Sequence, residues 1–207
     1  MTHTRIKICG ITAPEDASMA IASGANAIGL VFYPDSPRAV TIDDAVKIAA
    51  VVPPFVSIVA LFVDESASVI RAVLESVPID VIQFHGDESA DFCQQFGRPF
   101  IKAIRVKPGL DLPGLCATYW MARGVLLDTW QEGVPGGTGK AFDWQLASMN
   151  LSLPVIAAGG LTDSNVAAAI KALRPSAVDV SGGVERSPGI KDQAKITRFV
   201  AAVRAED

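Results

Sequence analysis

The feature that most constrains the fold is a series of eight short, almost uninterrupted apolar segments, each followed by a helical pattern. They span residues 5–9, 27–32, 56–63, 81–85, 100–106, 124–129, 154–160 and 177–183. Parallel strands that are covered on both faces read as continuous apolar runs, whereas half-exposed strands alternate apolar and polar residues. The pattern therefore predicts an α/β protein with a parallel sheet.

Eight strands that alternate with about eight helices are compatible with a closed barrel or with an open, doubly wound sheet. An open sheet of this kind usually carries a glycine fingerprint after its first strand. Here the first strand ends in "CGIT", without that fingerprint. No linker or change of composition divides the 207 residues. We therefore predict an eight-stranded (βα)8 TIM barrel that forms one domain over residues 1–207.

Composition and charge exclude several classes of protein. The net charge of −4 gives no basic surface for nucleic acid or anionic membranes. Three cysteines without a CxxC pair and two histidines indicate neither disulfides nor a metal site. The longest apolar stretch, residues 48–63, is shorter than the roughly 20 residues that cross a bilayer. We expect a reduced, cytoplasmic protein without metal, nucleic acid or membrane partners.

Several helices are expected to begin at oxygen-bearing residues. Thr12 followed by Glu15 predicts a capping box, in which each residue bonds the other's backbone N–H group. Asp64, Asp87 and Thr162 are predicted N-caps of later helices. The stretch 107–124 contains glycines and prolines that leave room for only a short helix.

Polar or reactive residues stand at the carboxyl ends of the predicted strands, where TIM barrels build their active sites. The candidates are Cys9, Arg38, His85, Asp128 and Asp179, of which Arg38 lies in the loop after the second strand. An isolated buried cysteine usually serves only packing. The position of Cys9 at a strand end, facing the same mouth as the others, makes it a candidate catalytic thiol.

Two glycine pairs follow the seventh and eighth strands, at the loops that commonly bind phosphate in this fold. They are Gly159–Gly160 in "AAGGLT" and Gly182–Gly183, preceded by Ser181, in "VSGGVE". Glycine lets backbone N–H groups approach an anion closely, although glycine pairs can also serve only as tight turns. We favour a phosphate site.

A further glycine-rich stretch, "GGTGK" at residues 136–140, is not a P-loop. Val134 stands where that motif needs glycine, and Ala141 follows Lys140 in place of serine or threonine. We predict a mobile lid after the sixth strand, covered by Trp130 and Phe142.

Seven motifs follow one another along the chain: "KICGIT", "SPR", "QFHGDE", "LLDT", "GGTGKAFDW", "AAGGLT" and "DVSGGVE". In this order the chain resembles the phosphoribosylanthranilate isomerase family from about residue 6 to 199. The resemblance implies a phosphate-binding barrel of tryptophan biosynthesis that works without a cofactor. Its reaction would be the Amadori rearrangement of N-(5-phosphoribosyl)anthranilate to 1-(2-carboxyphenylamino)-1-deoxyribulose 5-phosphate.

The resemblance also implies residue roles. It places the general base on Cys9, the general acid on Asp128 and the contact to the anthranilate carboxylate on Arg38. Asp179 matches a polar active-site position of the family and would support the substrate contacts. His85, which faces the mouth, is a candidate substrate contact by its position alone, with a structural or orienting role favoured. These roles require Asp128 to hold a proton and Cys9 to ionise more readily than a free thiol, whose pKa is about 8.5.

The remaining residues have simpler expectations. Lys7 lies inside the predicted barrel, where it either reaches the substrate or pairs with Asp179. Cys93 and Cys116 are expected to serve packing. Glu185 is expected to have only a capping role.

Alternative functions stay open at this point. A related aminoaldose isomerase of the histidine pathway carries aspartate where Cys9 stands, and a ribulose-phosphate epimerase would need metal-binding side chains. A non-catalytic binder of phosphate ligands on the same fold is the third alternative. The partner is expected to be a small phosphosugar–anthranilate molecule, and the chain a monomer or a homodimer.

Overall fold

Eight parallel strands close into a barrel in the computed structural model, which describes residues 3–107, 109–129 and 151–207. The order around the barrel follows the chain, and β1 pairs with β8 to close it. The strands are β1 (Arg5–Cys9), β2 (Ala27–Val31), β3 (Ser57–Phe62), β4 (Val81–Phe84), β5 (Phe100–Val106), β6 (Val125–Thr129), β7 (Val155–Ala157) and β8 (Ala177–Val180). The predicted TIM barrel is confirmed.

Seven α-helices are present in the described part of the chain. They are α1 (Pro14–Ala22), α2 (Ile42–Ala49), α3 (Ala67–Ser76), α4 (Ala90–Gln94), α5 (Leu112–Thr118), α6 (Val166–Leu173) and α7 (Gln193–Arg204). The short α5 confirms the prediction for residues 107–124. None of the described helices is long and apolar enough to span a membrane. The predicted lid at 136–140, with "GGTGKAFDW", Trp130 and Phe142, lies outside the described residues.

An additional hairpin follows β8 and a 3-10 turn at Gly182–Val184. It consists of β9 (Glu185–Ser187) and β10 (Ile190–Lys191), paired antiparallel. Three contacts attach it to α1 and to the first two βα loops. The backbone N–H of Lys191 donates to Asp16 at 3.0 Å, the Thr12 hydroxyl donates to the Gly189 carbonyl, and Gly189 packs closely against the Pro37 carbonyl.

The core has two layers, because successive side chains of a strand point to opposite faces. Inside the barrel, Ile101, Ala103, Leu126 and Ala158 form one apolar cluster. Outside, the strands pack on the helices through a larger cluster that includes the fully buried Phe62, Phe84 and Phe199. Burying each such side chain stabilises the fold by about 1.5–3 kcal/mol. Packing on both faces of the strands fixes the positions of the strand ends relative to one another.

Two predicted helix starts are wrong because their threonines have other partners. The N-cap of α1 is Ala13, and Thr12 instead donates its hydroxyl to Gly189 of the hairpin. The N-cap of α6 is Asn165, whose side chain accepts from the backbone N–H of Thr162 at 2.8 Å. In both places a tertiary or loop contact replaces the expected local cap.

Two predicted aspartate caps are also wrong, and serines two residues later take their place. Ser66 caps α3 by accepting from Val69, and Ser89 caps α4 by accepting from Phe92. Asp64 instead accepts from the backbone N–H of Asp87 at 2.6 Å. The aspartate thereby links the loops that follow β3 and β4.

Candidate active site

A cavity of about 310 Å³ lies at the carboxyl ends of the barrel strands. All ten residues that the sequence predicts for the site line it: Cys9, Arg38, His85, Asp128, Gly159, Gly160, Asp179, Ser181, Gly182 and Gly183. They come from β1, β6, β8 and the loops that follow β2, β4, β7 and β8. The closed barrel therefore brings together residues that are far apart in the chain.

Cys9 lies in a small buried charge cluster on one side of this cavity. Lys7 donates to the Asp179 carboxylate at 2.9 Å, and the two residues are direct neighbours across β1 and β8. A Cβ placed on Gly29 would stand 2.8 Å from Cys9 Sγ and 3.0 Å from Lys7 Nζ. Glycine on β2 thus leaves the space in which the thiol and the ammonium lie beside each other. Of the two expectations for Lys7, pairing with Asp179 is confirmed.

The electrostatics of this cluster favour a charged lysine and a neutral thiol. Burial lowers the pKa of Lys7, but the negative charge of Asp179, together with the thiolate form of Cys9, outweighs it and raises that pKa above its ordinary value. Burial raises the pKa of the Cys9 thiol, and the attraction of Lys7 only partly offsets this effect. Burial in the barrel therefore opposes the thiolate that the implied role of Cys9 requires.

Asp128 lies on β6 at the other side of the mouth, with its side chain in contact with His85. The His85 Nε2 atom is 3.1 Å from Asp128 Oδ2, and the Gln83 amide nitrogen donates to His85 Nδ1 at 2.9 Å. An imidazole that accepts at Nδ1 carries its proton at Nε2, so that it donates to Asp128. His85 therefore holds the Asp128 carboxyl group in place through Oδ2. The geometry gives His85 the orienting position that the sequence favours.

Arg38 approaches the cavity from the loop after β2 and is held by Glu185. Its Nε and Nη2 atoms donate to the two Glu185 oxygens at 2.8 and 2.7 Å. Glu185 lies in β9, is buried and also accepts from Lys191 at 2.8 Å. The expectation that Glu185 has only a capping role is wrong, because its carboxylate forms two buried ion pairs.

The two glycine loops form the remaining wall of the cavity. Gly159 and Gly160 adopt the left-handed conformation, with φ of 78° and 65°. A Cβ on Gly183 would collide with the carbonyl of Leu161, so glycine there lets the two loops touch. The N–H groups of the four loop glycines donate to no described residue, and the buried Ser181 hydroxyl has no hydrogen-bond partner. These free donors can receive an anion.

Sequence reasoning missed several further polar residues of the cavity, among them Gln83 and Arg105. Arg105 donates through Nη2 to the His85 carbonyl at 3.2 Å, whereas its buried Nε has no partner among the described residues. The Gln83 side-chain oxygen is also buried without a described partner. Gln83 interrupts an otherwise apolar strand two positions before His85. That spacing places side chains on the same face and could have identified Gln83.

Comparison with known proteins gives one family for almost the whole chain. The model of the N-(5'-phosphoribosyl)anthranilate isomerase family matches residues 6–202. The N-(5'-phosphoribosyl)anthranilate isomerase of Pseudomonas fluorescens is 59% identical over 204 residues, which are 99% of this chain and 97% of that protein.

Solved structures agree with this match. The phosphoribosyl anthranilate isomerase of Thermotoga maritima has a TM-score of 0.91 and 39% identity, covering 98% of this chain and 99% of that one. A second structure, of monomers generated from the dimeric Thermotoga maritima enzyme, has a TM-score of 0.86 and 36% identity over 98% and 99%. A third holds reduced 1-(o-carboxyphenylamino)-1-deoxyribulose 5-phosphate and has a TM-score of 0.86 and 37% identity, again over 98% and 99%.

Proposed function

The chain belongs to the N-(5'-phosphoribosyl)anthranilate isomerase family, and from this we propose how its residues carry out the reaction. It is an isomerase of tryptophan biosynthesis that rearranges N-(5'-phosphoribosyl)anthranilate to 1-(2-carboxyphenylamino)-1-deoxyribulose 5-phosphate. The observation that carries the proposal is the placement of Cys9 and Asp128. Cys9 is the last residue of β1 and Asp128 the penultimate residue of β6 in a closed barrel, and both line one cavity from different sides.

The substrate has two anionic ends, and the cavity offers a cationic or N–H-rich group for each. The phosphate is proposed to bind the free N–H groups of Gly159, Gly160, Gly182 and Gly183 together with the Ser181 hydroxyl. The anthranilate carboxylate is proposed to bind Arg38. With both ends held, the sugar lies between the thiol and the carboxyl group.

Asp128 is proposed to act first, as the general acid. A proton delivered to the ring oxygen of the furanose breaks the bond between that oxygen and C1, and the amine nitrogen forms a Schiff base. The proton comes from the Asp128 carboxyl group itself, whose Oδ2 accepts a hydrogen bond from His85 Nε2 at 3.1 Å. Gln83 holds the imidazole in the required orientation through its contact to Nδ1.

Cys9 is proposed to act next, as the general base. The Schiff base acidifies the C–H bond of sugar C2, and the thiolate removes this proton while the bonding electrons move toward the nitrogen. Protonation of C1 in the resulting enolamine, with loss of the proton of the C2 hydroxyl group, then gives the ketone. The Lys7 ammonium stabilises the thiolate before the proton arrives. Asp179 holds Lys7 in place, so its role at the substrate is exerted partly through this ion pair.

The test is the loss of substrate fluorescence after two substitutions. Cys9→Ser and Asp128→Asn should each lower kcat by about 10²- to 10⁴-fold, because general acid and base catalysis contribute factors of this size. Binding of the reduced product analogue should persist, since neither residue holds its charged ends. Cys93→Ser, at a buried cysteine outside the cavity, is the matched control. Near-normal turnover of both variants would refute the assigned roles.

The same measurement separates an enzyme from a non-catalytic binder. Tight binding of the analogue by the wild-type chain without any turnover of the substrate would favour the binder.

The oligomeric state is proposed to be a homodimer rather than a monomer. Phe55 is fully exposed and adopts a left-handed conformation with φ of 71°, although an exposed aromatic ring costs free energy in water. The related Thermotoga maritima enzyme is described as dimeric. Light scattering should give twice the chain mass for the wild type and a larger monomer fraction for Phe55→Ser. A wild-type monomer at all concentrations would contradict this assignment.

We also propose that the protein is cytoplasmic and forms one domain. Three free cysteines, all buried, fit a reducing cytoplasm. One domain over residues 1–207 fits a single barrel whose first and last strands pair with each other.

A further inference from the structure

A buried ion cluster at the mouth of the barrel involves two residues to which the proposed mechanism gives no role. It contains Arg38, Glu185 and Lys191, whose side chains are 16%, 4% and 0% exposed. Glu185 and Lys191 come from the hairpin that follows β8, whereas Arg38 comes from the loop after β2. Two cations share one carboxylate, so the cluster is not a neutral pair.

Lys191 fixes the position of the Glu185 carboxylate. Its ammonium group has three N–H donors, and all three have a described acceptor. They donate to the Cys9 carbonyl at 2.6 Å, to the Ser181 carbonyl at 3.3 Å and to Glu185 Oε1 at 2.8 Å. The ammonium thereby ties the ends of β1 and β8 together and holds the carboxylate at a defined distance from both.

Glu185 in turn determines how the Arg38 guanidinium is oriented. A guanidinium has five N–H groups, and a carboxylate can occupy one edge with two parallel hydrogen bonds. Glu185 occupies the edge formed by Nε and Nη2. The Nη1 atom and the second N–H of Nη2 donate to no described residue. The second edge is therefore open, and Arg38 lines the cavity.

Glycine at position 10 leaves the space for the stem of the Arg38 side chain. A Cβ on Gly10 would stand 2.5 Å from Arg38 Cδ and 2.9 Å from the Ser181 hydroxyl. A Cβ on Gly182 would make only ordinary contacts, 3.4 Å from Arg38 Nη2 and 4.0 Å from Glu185 Oε2. The stem is therefore confined beside Gly10, and the ion pair with Glu185 selects the rotation of the head.

We propose that Glu185 is a positioning residue of this enzyme, which holds one edge of Arg38 so that the other edge meets the substrate's aromatic carboxylate. Lys191 supports it by fixing the Glu185 carboxylate. Two cations and one carboxylate leave one net positive charge, which suits an anionic ligand. This inference rests on the proposed contact between Arg38 and the carboxylate.

The experiment compares two ligands that differ only in that carboxylate. They are the reduced product analogue and its counterpart in which hydrogen replaces the carboxylate on the ring. Titration calorimetry gives both Kd values for each variant, and the ratio compared is the Kd of the counterpart divided by the Kd of the analogue. For Glu185→Gln we expect this ratio to fall about tenfold, because a neutral amide cannot accept both N–H groups of the edge. Glu185→Asp keeps the charge but is one methylene shorter, and should lower the ratio as well.

Three further variants make the result specific. Arg38→Met should bring the two Kd values close to each other, and adding Glu185→Gln to it should change the ratio no further. Glu88→Gln is the matched control, because Glu88 is also a buried glutamate in an ion pair, with Lys102, and does not line the cavity. It should leave the ratio unchanged.

The outcomes separate the inference from the function on which it rests. If Glu185→Gln and Glu185→Asp weaken both ligands equally, the ratio is kept, Glu185 is merely structural and the inference is overturned. If Arg38→Met keeps the ratio, the carboxylate contact itself is wrong, and the inference fails with it. A fall of the ratio in both Glu185 variants, absent in the Arg38→Met background, supports the inference.

Discussion

Replacing Lys7 by methionine tests the proposed base most directly, because it removes the ammonium beside Cys9. Lys7 Nζ and Cys9 Sγ lie 3.0 and 2.8 Å from one point above Gly29, so their separation cannot exceed the sum of these distances. At about 5.5 Å and an effective dielectric constant near 20, an ammonium and a thiolate attract each other by about 3 kcal/mol. Since one pKa unit corresponds to about 1.4 kcal/mol, the pKa of Cys9 should rise by about two units in Lys7→Met.

The assay is the pH dependence of alkylation by iodoacetamide, followed at Cys9 by peptide mass spectrometry. Only the thiolate reacts, so the midpoint of the rate profile reports the pKa of the thiol. At a pH below both midpoints, the variant should react about a hundredfold more slowly than the wild type. Cys93 is an internal control for loosening of the fold, because burial raises its pKa to about 12.

Two further variants test whether the charge of the neighbouring residues causes the pKa shift of Cys9. Asp179→Asn should lower the midpoint of Cys9, since the negative charge of Asp179 raises the pKa of the thiol. Lys102→Met removes another buried lysine, which pairs with Glu88, and should not move the midpoint. A shift of less than half a unit in Lys7→Met, or a shift in the same direction in Asp179→Asn, would refute the electrostatic reasoning.

Three other predictions concern Gly29, Ser181 and Glu185. Gly29→Ala would place a methyl group against both the thiol and the ammonium, and steady-state kinetics should show kcat/KM about a hundredfold lower; an unchanged value would mean that the cluster adapts freely. Ser181→Ala should raise KM about 10- to 100-fold with little change in kcat, as expected for the loss of a hydrogen bond to a charged phosphate, and competition by inorganic phosphate should weaken in parallel. Burial raises the pKa of Glu185, but its ion pairs outweigh burial and lower that pKa below 4.5. The contribution of Glu185 to the stability of the fold is therefore present above about pH 4.5 and is lost as the pH falls through the pKa of the folded state. Urea unfolding should therefore lose stability less steeply below that pH in Glu185→Gln than in the wild type, and equal slopes would contradict the assignment.

The barrel could be predicted from the sequence because burial on both faces leaves a local signal in every strand. All eight apolar runs are strands of the structure, and two of them, Arg5–Cys9 and Phe100–Val106, have the predicted bounds. The largest errors are at carboxyl ends. The run 154–160 contains a strand of only three residues, because Gly159 and Gly160 adopt a left-handed conformation that ends the extended chain. Apolar character alone does not show where a strand stops.

The positions of the site residues could also be predicted, since each stands at a strand end or in the loop that follows it, and the fold determines where strand ends meet. Glu185 and Lys191 could not be assigned in this way. Glu185 lies 147 residues from its partner Arg38, and Lys191 lies 182 residues from the Cys9 carbonyl that it binds. No local pattern marks such pairs. The same holds for the N-caps, where Thr12 donates to a carbonyl 177 residues away.

The direction of the pKa shift of Cys9 could not be predicted from the sequence, because it depends on burial, and it bears on the mechanism. A base must be deprotonated to act, but its strength toward a C–H proton increases with its pKa. A carboxylate at this position would be ionised at neutral pH and would be the weaker base. The thiolate of a buried cysteine is the stronger base, but only a small fraction of the thiol is ionised at neutral pH. Lys7 increases that fraction, whereas Asp179 keeps Lys7 charged and opposes the thiolate. The activity should therefore rise with pH until Cys9 ionises, and the balance of these two opposite charges determines where that rise occurs.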